Sequence, residues 1–240
     1  MRDNIYQNPV ANVAGFRFDD KVAAVFPDMI SRSVPGYSNI IAMTGLLAER
    51  YGQAGSRCYD LGCSLGASTL SMIQHTQGRA LQFIGVDNSS AMISRCREAL
   101  AQAAPEAQVE LIEDDIQNVA IENASMAVLN FTLQFVPLAD RDRLIERIYR
   151  GLNAGGALIL SEKIRFDSPM LQELNTDIHH AFKRANGYSE LEVSQKRQAI
   201  ENVLIPETLD DHYQRLARAG FTTYGLWFQC FSFMSLVAIK

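Results

Sequence analysis

A chain of 240 residues with 48% hydrophobic and 20% charged residues suits one soluble α/β domain with a sizeable core and a small cap. Its net charge of −5 argues against functions that need broad phosphate contact, so direct nucleic-acid binding is not expected. The opening Met1-Arg2-Asp3-Asn4 lacks the apolar core of a signal peptide, and no apolar run approaches bilayer length, so a cytoplasmic protein without a membrane anchor is expected.

The stretch to about Gly15 reads as an irregular arm. Asp19-Asp20 can cap a helix through Val22-Ala23-Ala24-Val25-Phe26, which Pro27 interrupts or restarts as a new turn. Ser33-Val34-Pro35-Gly36-Tyr37-Ser38 is a turn cluster, after which Ser38 or Asn39 caps a helix through Ile40, Ile41, Met43, Leu46 and Leu47. From Arg57 strands and helices alternate. The first strand ends at Asp60-Leu61, and a glycine turn leads into a helix from Ala67. The second, 81–86, ends in Asp87, and a helix capped by Ser89 or Ser90 runs to about Ala101. The third, 109–112, ends in Glu113-Asp114-Asp115, and the fourth, 126–130, ends at Asn130. A helix from about Asp140 to Leu152 stops at Asn153-Ala154-Gly155-Gly156, and a fifth strand covers 157–161. Near-continuous apolar strands in this alternation imply a buried parallel sheet. Residues 162–206 carry helical pattern only, and strands at 222–228 and 231–239 are close enough to form an antiparallel hairpin.

In an open α/β sheet, ligands bind beyond the carboxyl ends of the strands. Asp60, Asp87, Asp114-Asp115 and Asn130 all stand at such ends, beside the turn Asp60-Leu61-Gly62-Cys63-Ser64-Leu65-Gly66. Any one of these acids reads equally well as a helix cap; together they indicate a cofactor site. A dinucleotide fingerprint fits poorly, because its second glycine falls on Ser64, and a phosphate-binding Gly-Lys-Ser/Thr is absent. An acid two residues before the first glycine suits a cationic ligand, and Asp87 is spaced to take a ribose diol. A cationic ribonucleoside without phosphates describes S-adenosylmethionine. Cys58, Cys63, Cys96 and Cys230 have no Cys-x-x-Cys spacing and no neighbouring histidines, so packed, reduced thiols and no metal site are expected. Cys63 reads as a backbone contact and not a nucleophile. His179-His180 offers a proton acceptor, but two adjacent helix positions cannot both face one site. Trp227-Phe228 and Phe231-Ser232-Phe233 read as sheet core.

The Asp60-x-Gly62-x-Ser64-x-Gly66 turn, Asp87 and Asp115-Ile116 resemble the S-adenosylmethionine site of class I methyltransferases, with serine at the usual middle glycine. That resemblance implies a Rossmann-like, seven-stranded, mostly parallel sheet with an antiparallel C-terminal hairpin. N-terminal helices (1–55) and a helical lid (162–206) would complete a single domain of residues 1–240. A closer resemblance spans nearly the whole chain. Residues 25–30, 32–41, 59–67, 121–126 and 182–192 are similar to the carboxy-S-adenosyl-L-methionine synthase family, in which Ser64 is the expected residue. The resemblance implies conversion of S-adenosyl-L-methionine and prephenate to carboxy-S-adenosyl-L-methionine and phenylpyruvate. A separate enzyme would use the product to form 5-oxyacetyluridine at the tRNA wobble position. It further implies that Tyr37, Gly62, Cys63, Ser64, Asp87, Asn88, Asp115, Ile116 and Asn130 contact the cofactor, that Arg197 holds the carboxylate, and that the protein is a homodimer. Guanidinium pairs bidentately with carboxylate, although helix spacing alone would leave Arg197 as a solvated arginine. A methyltransferase for a small molecule or RNA is the alternative activity, and a non-catalytic S-adenosylmethionine-binding module is a second class.

Overall fold

The computed structural model describes residues 1–10 and 13–240; Ala11 and Asn12 of the expected arm lie outside the described residues. Seven strands form one sheet in the order β3-β2-β1-β4-β5-β7-β6. β1 (Arg57–Leu61), β2 (Gln82–Asp87), β3 (Gln108–Glu113), β4 (Ala124–Asn130) and β5 (Leu152–Lys163) run parallel. β6 (Thr223–Cys230) and β7 (Phe233–Ile239) form the antiparallel hairpin, with β7 against β5. This is the fold expected of a class I methyltransferase. The strand order reverses between β1 and β4, which opens a crevice at their carboxyl ends.

Alternate residues of each central strand feed two cores, one on either face of the sheet. Tyr59, Leu61, Ala127 and Leu129 pack with Leu144, Ile145 and Ile148 of α5 (Leu138–Gly151) and Leu216 of α8 (Leu209–Ala219). Cys58, Met126 and Val128 pack with Met72 and Ile73 of α3 (Ala67–His75) and Ile93, Cys96 and Leu100 of α4 (Ser90–Ala103). At Gly66, where φ is +82°, an added Cβ would stand 2.8 Å from Cys96 Sγ, so glycine lets the start of α3 close on α4. Two helix pairs cover the crevice: α1 (Asp20–Ser33) with α2 (Tyr37–Tyr51), and α6 (Pro169–Ala185) with α7 (Glu190–Ile200).

Four local expectations are corrected. Pro27 does not end α1, which runs through it; Val22, Ala23, Val25 and Met29 bury one face and outweigh the lost hydrogen bond. α2 begins at Tyr37, ahead of Ser38, because Gly36 (φ +76°) makes the turn and the Phe228 ring occupies the space beside it. The stretch 153–156 is not the stop of α5 but the first part of β5, which pairs Leu152 with Ala124 before a bulge. α8 occupies a segment where the pattern indicated no element.

Candidate active site

One cavity of about 600 Å³ lies over the carboxyl ends of the central strands. Tyr37, Gly62, Cys63, Ser64, Asp87, Asn88, Asp115, Ile116 and Asn130 all line it. The turn after β1 is fixed first. The N–H groups of Gly62 and Cys63 both donate to Val86 O, at 2.7 and 2.9 Å, folding the end of β1 onto β2. Ser64 holds a left-handed φ of 49° and donates its N–H to Asp87 Oδ2 at 2.9 Å. The other Asp87 oxygen accepts Ser89 N–H at 3.0 Å, so the acid and the turn are one hydrogen-bonded unit. Burial pushes the Asp87 carboxyl up, and these two N–H donors oppose it. Each oxygen keeps a lone pair for a diol.

Asn88 Nδ2 donates to Asp115 Oδ1 at 2.8 Å, and the neighbouring Ile116 presents a buried apolar side chain to the cavity. Asn130 donates to Ser68 Oγ at 2.9 Å and accepts from Ser161 Oγ at 2.7 Å, which fixes its amide orientation. Burial, and then the Asp60 charge, push the Tyr37 phenol up. Asp60 itself departs from expectation. It accepts Thr69 N–H at 3.0 Å and Thr69 Oγ–H at 2.7 Å, tying α3 to β1 behind the wall; it does not line the cavity. Asp114 likewise turns away, holding Asp115 N–H and Asn118. The Cys63 thiol is pushed well up by contact with Cys96 and then by burial, which suits packing and not nucleophilic attack.

The far wall is basic, and sequence spacing did not single it out. Lys163 at the end of β5, His179 and Lys183 of α6, and Lys196 of α7 all line the cavity. Burial lowers Lys183 to about 7, with help from Lys196 and Lys163. Burial lowers Lys196 to about 8 against the pull of Asp3. His179 is lowered to about 3 by burial and then by Lys183, so it is neutral; its Nε2–H donates to Ser33 O at 2.8 Å. Only His179 of the histidine pair faces the cavity. Arg197 is exposed on α7 and does not line the cavity, though its charge lowers Lys163 and His180.

The cover is aromatic. Phe16, Phe18, Phe26 and Phe135 line the cavity, with Phe18 edge-on to Phe16 at 5.1 Å and to Phe135 at 5.3 Å. The short segment between the arm and α1 thus brings Phe16 and Phe18 into the site, where the Phe-x-Phe spacing was the available signal. Phe131 lines it from a left-handed φ of 61°, so two non-glycine residues with positive φ, Ser64 and Phe131, stand on one cavity wall. Among the described residues, no group of three or more His, Cys, Asp or Glu side chains is placed to hold a metal, and no helix is long and apolar enough to cross a membrane.

Residues 59–156 match the family described as a methyltransferase domain. The chain is 59% identical over 239 residues to a carboxy-S-adenosyl-L-methionine synthase of Geobacter sp. strain M21, covering 99% of this chain and 98% of that protein. It is 55% identical to the protein of that name in Cronobacter sakazakii, with 100% and 97% covered. The solved structure of human N-acetylserotonin methyltransferase in complex with S-adenosylmethionine superposes with a TM-score of 0.61 at 16% identity, covering 92% of this chain and 55% of that one.

Proposed function

Because this chain belongs to the carboxy-S-adenosyl-L-methionine synthase family, we propose that its cavity holds S-adenosylmethionine and prephenate side by side and releases carboxy-S-adenosyl-L-methionine and phenylpyruvate. The carrying observation is a single cavity lined by nine cofactor candidates and roofed by aromatic side chains and two lid helices. Asp87 takes the ribose diol, while Asp115 and Ile116 hold the adenine. Tyr37, the Gly62–Ser64 backbone and Asn130 complete the cofactor contacts. Arg197, exposed on α7 next in sequence to the cavity residue Lys196, swings in to neutralise the new carboxylate.

Prephenate aromatises with loss of carbon dioxide and hydroxide. The sulfonium methyl gives its proton to that hydroxide, forming water, and the methyl carbon bonds the released carbon dioxide. A carbanion beside sulfur survives only without competing protons, and Phe16, Phe18, Phe135 and the lid of 162–206 serve that need by excluding water. The protein works as a cytoplasmic homodimer, and a separate enzyme carries the carboxymethyl group to the tRNA wobble uridine.

Incubation with S-adenosylmethionine, with and without prephenate, tests the reading by mass spectrometry. A cofactor heavier by one carboxyl group should form only with prephenate, together with phenylpyruvate. Methyl transfer to an added acceptor with no carboxylated cofactor would overturn it, as would binding with no turnover.

A further inference from the structure

The lysines of the cavity wall are not equally provided for. Lys196 donates to Ser33 Oγ at 3.0 Å, and its ammonium lies 3.7 Å from Asp3 Oδ2, so it has a counter-charge inside the protein. Lys163 and Lys183 have none. Neither ammonium makes an ion pair or a side-chain hydrogen bond among the described residues, and the two residues outside them are Ala11 and Asn12, which carry no carboxylate. Lys183 is 8% exposed. Burying an ammonium beside others of like charge is costly, and an apolar side chain of that length would be better tolerated by the fold alone. Buried Lys183 and half-buried Lys163, both unpaired on one cavity wall, are therefore provided for something that enters the cavity. The acids Asp87 and Asp115 line the same cavity, so it offers anionic and cationic groups to different ligands.

We propose that Lys163 and Lys183 form the subsite that clamps the 2-oxo-acid carboxylate of the co-substrate. The assignment rests on the reading of the cavity given above and names the residues that hold the second substrate. Of the two carboxylates of prephenate, the ring carboxylate leaves as carbon dioxide. An ammonium paired with it would stabilise the charged ground state and oppose that loss. The 2-oxo-acid carboxylate keeps its charge throughout and persists in phenylpyruvate, so it is the one a fixed pair of cations can hold without slowing the chemistry. The lowered affinity of Lys183 for its proton fits a site completed by an incoming anion, whose charge restores the ammonium form.

Lys163→Met and Lys183→Met, with Lys183→Arg as the charge-preserving variant, test the subsite. The readouts are carboxylated product against prephenate concentration and S-adenosylmethionine binding by calorimetry. Each Met variant should raise the prephenate KM about 10- to 100-fold, the loss expected for a charge-assisted contact. Cofactor affinity should stay within about twofold, the thermal midpoint should not fall, and Lys183→Arg should recover most of the KM. An unchanged prephenate KM in both Met variants, with an active parent protein, overturns the subsite. A parent protein that makes no carboxylated cofactor from prephenate overturns the underlying reading instead. Should the variants not fold, amine-acylation footprinting of the unmodified protein decides: phenylpyruvate should shield Lys163 and Lys183 but leave exposed Lys21 reactive. No shielding at either lysine overturns the proposal.

Discussion

At Asp60, burial and hydrogen bonding pull in opposite directions. The side chain is 2% exposed, and burial raises its carboxyl from the usual 3.8 to about 6, against the two Thr69 donors. Between those values the folded protein keeps a proton that the unfolded chain has released. Its contribution is therefore fully present below about pH 4 and is lost as pH rises through 6; two units amount to up to about 3 kcal/mol. Asp60→Asn removes the titration while keeping an acceptor for Thr69. Relative to the parent, its urea midpoint should improve between pH 4 and pH 7, and an unchanged difference would show that Asp60 is ionised at both. The same residue shows a limit of motif reading. The spacing Asp60-x-Gly62-x-Ser64-x-Gly66 locates the turn but not the side of the strand end to which an acid points. Asp60 secures α3 to β1, while Asp87, one strand away, faces the cavity.

Among the helices, α5 and α8 are joined by charge as much as by apolar packing. Arg141 is 1% exposed and meets Glu207 at 2.5 Å, while Arg215 meets Glu207 at 2.6 Å and Asp142 at 2.8 Å. Arg141 also donates to the carbonyls of Val136, Gln134 and Ile205, so the network supports the turn that carries the cavity residues Gln134 and Phe135. Glu207→Gln keeps the shape and leaves both guanidiniums without their shared counter-charge; a loss of about 3 kcal/mol in urea unfolding is expected. A loss below about 0.5 kcal/mol would mean that the three carbonyls suffice for Arg141. The same helix, α8, was passed over in the sequence. Its buried face of His212, Arg215, Leu216 and Ala219 is half polar, but the signal was there to read: Leu209, Tyr213 and Leu216 keep helical spacing, Thr208 and Asp211 form a capping box, and Gly220 ends the helix. The central strands were legible because β4 buries everything from Ala124 to Leu129. The basic wall was hidden differently. Lys163, Lys183 and Lys196 come from three elements, and nothing in their spacing says that they share a cavity.

For the molecule as a whole, the net charge of −5 opposes the approach of a doubly charged anion, yet the cavity presents it with a cationic wall. The long-range term is screened within about 8 Å at physiological salt. Within the cavity the local charges act with less screening. Beside the cavity the arm is tied to α7 across the chain: the Gln195 amide donates to Tyr6 O and Asn8 O and accepts Val10 N–H, and Phe16 N–H donates to Ala199 O at 2.9 Å. Carboxy-S-adenosyl-L-methionine differs from S-adenosylmethionine by one carboxylate placed where the methyl group was. With Arg197 taking that carboxylate, the product binds more tightly than the cofactor that gives rise to it. About tenfold tighter binding adds about 1.4 kcal/mol to ligand-linked stability at equal, saturating concentrations. The carboxylated compound should therefore raise the thermal midpoint further than S-adenosylmethionine does, and added salt should shrink that difference because Arg197 is exposed. Equal midpoints for the two compounds would mean that Arg197 does not pair with the new carboxylate.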